Sequence, residues 1–198
     1  MIDKIVKTFE SNHNRLTNLL GMYNSLGGGK TGRSNTSQLE LLRATVVFTH
    51  STLEDFLRSI EAWKIPLTES DVLKDIWLNE TYRETKFNFR NLYKFRNLKI
   101  KTLMEKSVIH TLSYKSYNQP EDIIRTIENC QLVLSEDIKK LFPSLKLLMN
   151  RRHHIVHQAD KNLRTGSGQH RYLSLSSKQV NTWIDNTDSL AQLIIGQL

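Results

Sequence analysis

The sequence predicts an all-α fold, a single-domain helical bundle, on three observations. Proline and glycine are scarce, three and eight in 198 residues, too few for an architecture of short strands and tight turns. Apolar residues recur at three- and four-residue spacing over long stretches, which places them on one side of a helix. Residues that cap helix N-termini stand directly before several of those stretches. A hydrophobic content of 38% and a charged content of 24% are those of an ordinary globular protein, and the length suits one domain over 1–198.

The first helix is expected over 2–26, with Ile2, Ile5, Val6, Phe9, Leu16, Leu19, Leu20 and Tyr23 on one stripe. A basic glycine-rich loop, Gly27-Gly28-Gly29-Lys30-Thr31-Gly32-Arg33, follows it. This is not a phosphate-binding loop, because that motif needs a glycine where Asn24 stands and a strand where a helix stands. Ser37 and Glu40 form a capping-box pattern, so a second helix is expected from there to about Trp63. It carries Leu39, Leu42, Val46, Leu53, Phe56, Leu57 and Ile60 inward, and Pro66 ends it. A shorter helix over about 69–79 opens at Thr68 or Ser70. Residues 81–118 read as helices near 88–96 and 100–112, although Phe87-Asn88-Phe89 also fits a short extended piece. Pro120 suits the first turn of a helix over about 120–130. Ser135 caps a short helix to Leu141, and Pro143 opens another over about 143–158. A polar loop with Gly166-Ser167-Gly168 spans 159–175. Ser176 and Gln179 make a further capping box for the last helix, which turns Val180, Trp183, Ile184, Leu190, Leu193 and Ile194 inward.

Composition narrows the function. Cys130 is the only cysteine, which excludes an intramolecular disulfide and a thiolate zinc cluster. The N-terminus lacks the apolar core of a secretion signal, and no run approaches the roughly 18 apolar residues of a membrane span. A cytoplasmic location without membrane contact is expected. The net charge of +8 and pI near 9.6 favour encounter with polyanions.

The chemistry concentrates in Asn150-Arg151-Arg152-His153-His154-Ile155-Val156-His157-Gln158-Ala159-Asp160. Histidine can take and give a proton near neutral pH, and arginine grips phosphate through two parallel hydrogen bonds. Phosphodiester cleavage needs both. On a helix Asn150, His153 and His157 share a face, whereas Arg152 falls on the apolar line of Leu145, Leu148 and Ile155. A cation there needs a carboxylate, a phosphate or a polar cleft, and Glu54 and Asp55 are candidate protein partners. The same residues also fit a plain basic helix C-terminus, favourable to the helix dipole. A zinc site on His153 and His157 would need a third ligand, such as His50 or Asp160, and lacks the glutamate of the HEXXH pattern.

Arg152-His153-His154-Ile155-Val156-His157 resembles the Arg-polar-x3-His motif of HEPN domains. The segment from Arg43 to Arg58, with Phe48, His50, Leu53, Glu54, Asp55 and Phe56, is similar to the second helix of the RiboL-PSP-HEPN group, as is the trailing Gln158-Ala159-Asp160. The resemblance implies a helical bundle that dimerises with its motif helices facing each other. It also implies metal- and cofactor-free endoribonuclease activity in toxins, phage defence or RNA processing, with an antitoxin or defence-complex partner. By position Arg152 would bind the scissile phosphate, His157 would move protons and His153 would orient the site. Some HEPN toxins carry a tyrosine two residues after the motif histidine, which a partner enzyme modifies; here Ala159 stands there. A non-catalytic RNA- or partner-binding module is the alternative. Substrate grip is expected from Arg151 and from the basic stretch around Arg90, Lys94, Lys99 and Lys101, which also holds Arg83 and Lys86. The aromatics Phe87, Tyr93 and Phe95 within it either stack on unpaired bases or pack inward.

Overall fold

A computed structural model describes residues 1–28, 35–78, 85, 88–162 and 172–198. Lys30, Thr31, Arg83, Lys86, Phe87 and Gly166-Ser167-Gly168 lie outside the described residues. The described residues form seven α-helices: α1 (Ile2–Ser25), α2 (Thr36–Lys64), α3 (Phe89–Tyr93), α4 (Ile100–Ser113), α5 (Pro120–Asn129), α6 (Glu136–Gln158) and α7 (Ser177–Ile195). Among the described residues the only extended pairing is an isolated antiparallel bridge between Lys161 and Tyr172. No helix of the described residues is long and apolar enough to cross a membrane.

The long helix α2 is the axis of the bundle and packs against α1, α4, α5, α6 and α7. Its Leu42, Val46, Leu53, Phe56, Leu57 and Ile60 enter one buried cluster with Phe9 and Leu16 of α1, Ile123 and Ile127 of α5, Leu145 and Leu148 of α6, and Val180, Trp183 and Leu190 of α7. The Phe9 and Phe56 rings meet at 5.1 Å. Burial of these stripes, rather than helix propensity, holds the elements in place.

Four elements differ from expectation. The α2 capping box is Asn35/Gln38 and not Ser37/Glu40: the Gln38 N–H donates to Asn35 Oδ1 and the Asn35 N–H to Gln38 Oε1, both at 2.8 Å. Gln38 also donates from Nε2 to the Leu26 carbonyl at 2.8 Å, which ties the end of α1 to the start of α2. Pro143 does not open a helix but lies inside α6. Its missing N–H leaves the Lys139 carbonyl without its helical donor, and both residues are exposed, so water can serve that carbonyl. The helix expected over 69–79 is a 3₁₀ turn at Asp71–Asp75, capped by Ser70, and the one near 88–96 is the short α3.

Glu61 was not singled out by pattern, yet it organises the far side of α2. It is 0% exposed and accepts from Lys115 Nζ at 2.6 and 2.8 Å, from the Tyr117 hydroxyl at 2.5 Å and from Asn129 Nδ2 at 3.0 Å. A buried carboxylate persists only when it is paired and bonded in this way. Cys130 lies near it, and burial, reinforced by Glu61, pushes the thiol up to about 12. It is packing material and not a nucleophile.

Candidate functional site

The α6 terminus carries the motif, and its geometry begins with how that helix stops. Ala159 and Asp160 both adopt left-handed backbone, with φ of 48° and 56°, a conformation that costs non-glycine residues on the order of 1 kcal/mol or more each. The Asp160 N–H donates back to the His154 carbonyl at 3.0 Å. The chain reverses and drops Asp160 into full burial beneath the helix, where Oδ2 accepts from Arg43 Nε at 2.7 Å and from Arg151 Nη2 at 2.8 Å. Arg151 also donates to the Leu173 and Ser174 carbonyls at 2.9 and 3.0 Å. Arg43 reaches Glu40 at 2.9 Å and lies over the Tyr172 ring at 4.6 Å.

Arg151 therefore does not stand where a surface phosphate ligand would. Its guanidinium is a tie between α6, Asp160 and the segment before α7, with a side chain only 13% exposed. The sequence groups it with the RNA-contacting cations; Asp160 is nine residues on, and the left-handed turn brings the two together.

Arg152 has a different environment. It is half-buried on the line of Leu145, Leu148 and Ile155, and its charge acts on His50 of α2. Neither carboxylate expected to pair with it does so. Glu54 pairs with Arg58 at 2.7 Å and lies 3.8 Å from His50 Nδ1, and Asp55 accepts from Asn12 at 3.4 Å. Among the described residues no carboxylate comes within salt-bridge distance of Arg152.

His50 lies between Glu54 and Arg152. It is buried, with Nε2 3.0 Å from the Tyr117 carbonyl. A carbonyl only accepts, so Nε2 carries the proton and the neutral ring presents a bare Nδ1, which has no hydrogen-bond partner. Burial, then the charge of Arg152, hold His50 below the ordinary histidine range, against the opposing pull of Glu54 and the Tyr117 bond. The unfolded chain takes up this proton first, at about pH 6.5. Stability from His50 is thus fully present above that value and is lost as pH falls through it toward the folded pKa. Chemical denaturation is expected to show a midpoint that drops below about pH 6.5, and His50→Gln is expected to lessen that dependence.

His153 and His157 are exposed on the outer side of α6, ring centres 4.7 Å apart, with exposed Asn150 on the same face. His154 is half-buried, its Nδ1 2.8 Å from Gln158 Oε1. Arg152 and His157 are five residues apart, about 140° around the helix, so one chain does not present both from one face. Val156, 47% exposed, bridges them, four residues from Arg152 and three from His153. The result is a continuous strip of half-buried cation, exposed apolar residue and exposed imidazoles. Leu147, also exposed, lies on the opposite side of α6 from Val156, nine residues away.

The candidate third ligands of a zinc site are engaged elsewhere, Asp160 with two arginines and His50 with a carbonyl. Among the described residues no three His, Cys, Asp or Glu side chains converge on a common point. Arg90, Lys94, Lys99 and Lys101 are exposed but remote from the motif. Lys101 borders a cavity with Met1, Lys4 and Trp63, at the C-terminal end of α2, whereas α6 meets α2 at Arg43 and beside His50. From His50 to Trp63 is about 20 Å along the helix.

A family model described as RiboL-PSP-HEPN matches residues 10–198. No curated protein and no solved structure matches the chain.

Proposed function

The chain belongs to the RiboL-PSP-HEPN family, and from that premise we propose that it is a metal-independent endoribonuclease acting as a homodimer. The observation that carries the reading is Arg152: a half-buried side chain whose guanidinium has no carboxylate partner among the described residues, beside two exposed imidazoles. A guanidinium without a protein counter-charge is free to grip a phosphate through two parallel hydrogen bonds. The whole chain, 1–198, serves as one HEPN domain.

In the proposed reaction the ribose 2′-hydroxyl attacks the adjacent phosphorus. The new O2′–P bond forms as the P–O5′ bond breaks, leaving a 2′,3′-cyclic phosphate and a 5′-hydroxyl. His157 takes the 2′-hydroxyl proton, and solvent protonates the leaving O5′. Arg152 holds the phosphate and stabilises its developing charge. His153, in ring contact with His157, orients it, and Asn150 lies on the same face. The offset between Arg152 and His157 is the reason for the dimer: a second α6 facing the first supplies the imidazole that one chain turns away, and Val156 becomes interface. Such an activity suits a toxin, a phage-defence effector or an RNA-processing enzyme held in check by an antitoxin or complex partner.

Purified protein incubated with RNA in excess chelator is expected to cleave it at the rate seen without chelator. Binding without cleavage would favour the non-catalytic module instead.

A further inference from the structure

The exposed end of the bundle around α3 has the composition of a nucleic-acid surface, and its aromatic side chains face outward. Phe89 is 90% and Tyr93 64% exposed. They stand four residues apart, so they occupy one side of the single helical turn α3. Leu92, on another side, borders a cavity of about 350 Å³ with Leu103, Met104 and Val108. Leu92 thus faces α4 across that cavity, and Phe89 and Tyr93 face solvent. Aromatics this exposed are not part of the buried core among the described residues. Their setting is strongly cationic: residues 88–106 carry Arg90, Lys94, Arg96, Lys99, Lys101 and Lys106 against Glu105 alone. The Arg96 guanidinium already lies 4.2 Å over the Tyr93 ring and donates to the Tyr93 carbonyl, which braces that ring with a positive charge beside it.

We propose that Phe89 and Tyr93 form a stacking platform for unpaired bases, flanked by Arg90, Arg96, Lys99 and Lys101 as phosphate ligands, and that the substrate class is single-stranded RNA. This deepens the nuclease reading and rests on it for the choice of RNA over other polyanions. The charge complementarity selects a polyanion, and the two rings select one with accessible π faces, which a duplex hides. The platform is at the opposite end of α2 from Arg152, so a strand that engages both within one chain spans several nucleotides.

The test uses a fluorescein-labelled, 2′-O-methylated 12-nucleotide strand, which cannot undergo 2′-hydroxyl attack, and the blunt duplex of the same sequence. Anisotropy is expected to show tighter binding of the single strand. Phe89→Ala and Tyr93→Ala each weaken it about 5- to 100-fold at unchanged melting temperature, and Phe89→Trp retains it. Lys99→Ala lowers the salt slope by about 0.7, while the ring variants leave the slope as it is. A double ring variant that binds within twofold of the parent overturns the platform, as does equal affinity for strand and duplex. A double variant that changes only the sedimentation coefficient, or only binding to anionic vesicles, also overturns it and gives the patch to a protein contact or a membrane. Because the probe is not cleaved, loss of the platform leaves the cleavage reading standing, and an intact platform on a protein that cuts no RNA sinks cleavage alone.

Discussion

Arg152→Ala is expected to lower RNA cleavage by about 10²–10³-fold, and His157→Ala by about 10²–10⁴-fold, with both variants folded. His157 is exposed, and removing Arg152 orphans no carboxylate among the described residues, so neither change should unfold the chain. Arg152→Lys is not expected to restore the rate, since an ammonium cannot form the two parallel bonds of a guanidinium. The pair also tests where the cleft is built. When the two variants are mixed and allowed to exchange, half of the dimers combine an intact Arg152 with an intact His157 across the axis, and about a quarter of the parent activity returns. If residues 152 and 157 act within one chain, mixing restores nothing.

The second large effect concerns stability. Asp160→Asn is expected to cost about 3–5 kcal/mol, because it leaves the Arg43 and Arg151 guanidiniums buried with their shared counter-charge gone. For a chain of this size that is a fall in Tm on the order of 10 °C, read by calorimetry or circular dichroism. The carboxylate also secures the reversal at Ala159 and Asp160, so the last turn of α6 should fray. Cleavage is expected to fall further than the fraction unfolded accounts for. Replacing exposed Asn150 with alanine, on the same helix, serves as the control that leaves Tm within a degree or two.

The parts of this molecule that follow local rules were readable from sequence. The stripes that became α1, α2 and α7 repeat over many turns, and the Ser176/Gln179 box and the Pro120 start stand where local chemistry puts them. Boundaries that depend on competing local choices were not. Asn35 outcompetes Ser37 because Gln38 gains a second partner in Leu26, and Pro143 is tolerated within α6 because the Lys139 carbonyl it leaves without a donor is on the exposed side. The motif itself was legible as a helix face. Its support was not: Asp160 meets Arg43 across 117 positions, and Glu61 meets its donors across 54 to 68. Periodicity carries no information at such separations. Glu54 illustrates the same limit, since its position suggested a partner for Arg152, while the fold hands it to Arg58, four residues on.

The most direct measurement is end-group analysis of RNA fragments produced by the purified protein. Fragments ending in a 2′,3′-cyclic phosphate and beginning with a 5′-hydroxyl, lost in the His157→Ala variant, are the result this account predicts. Fragments with a 5′-phosphate, or the same fragments from the variant at an undiminished rate, would contradict it.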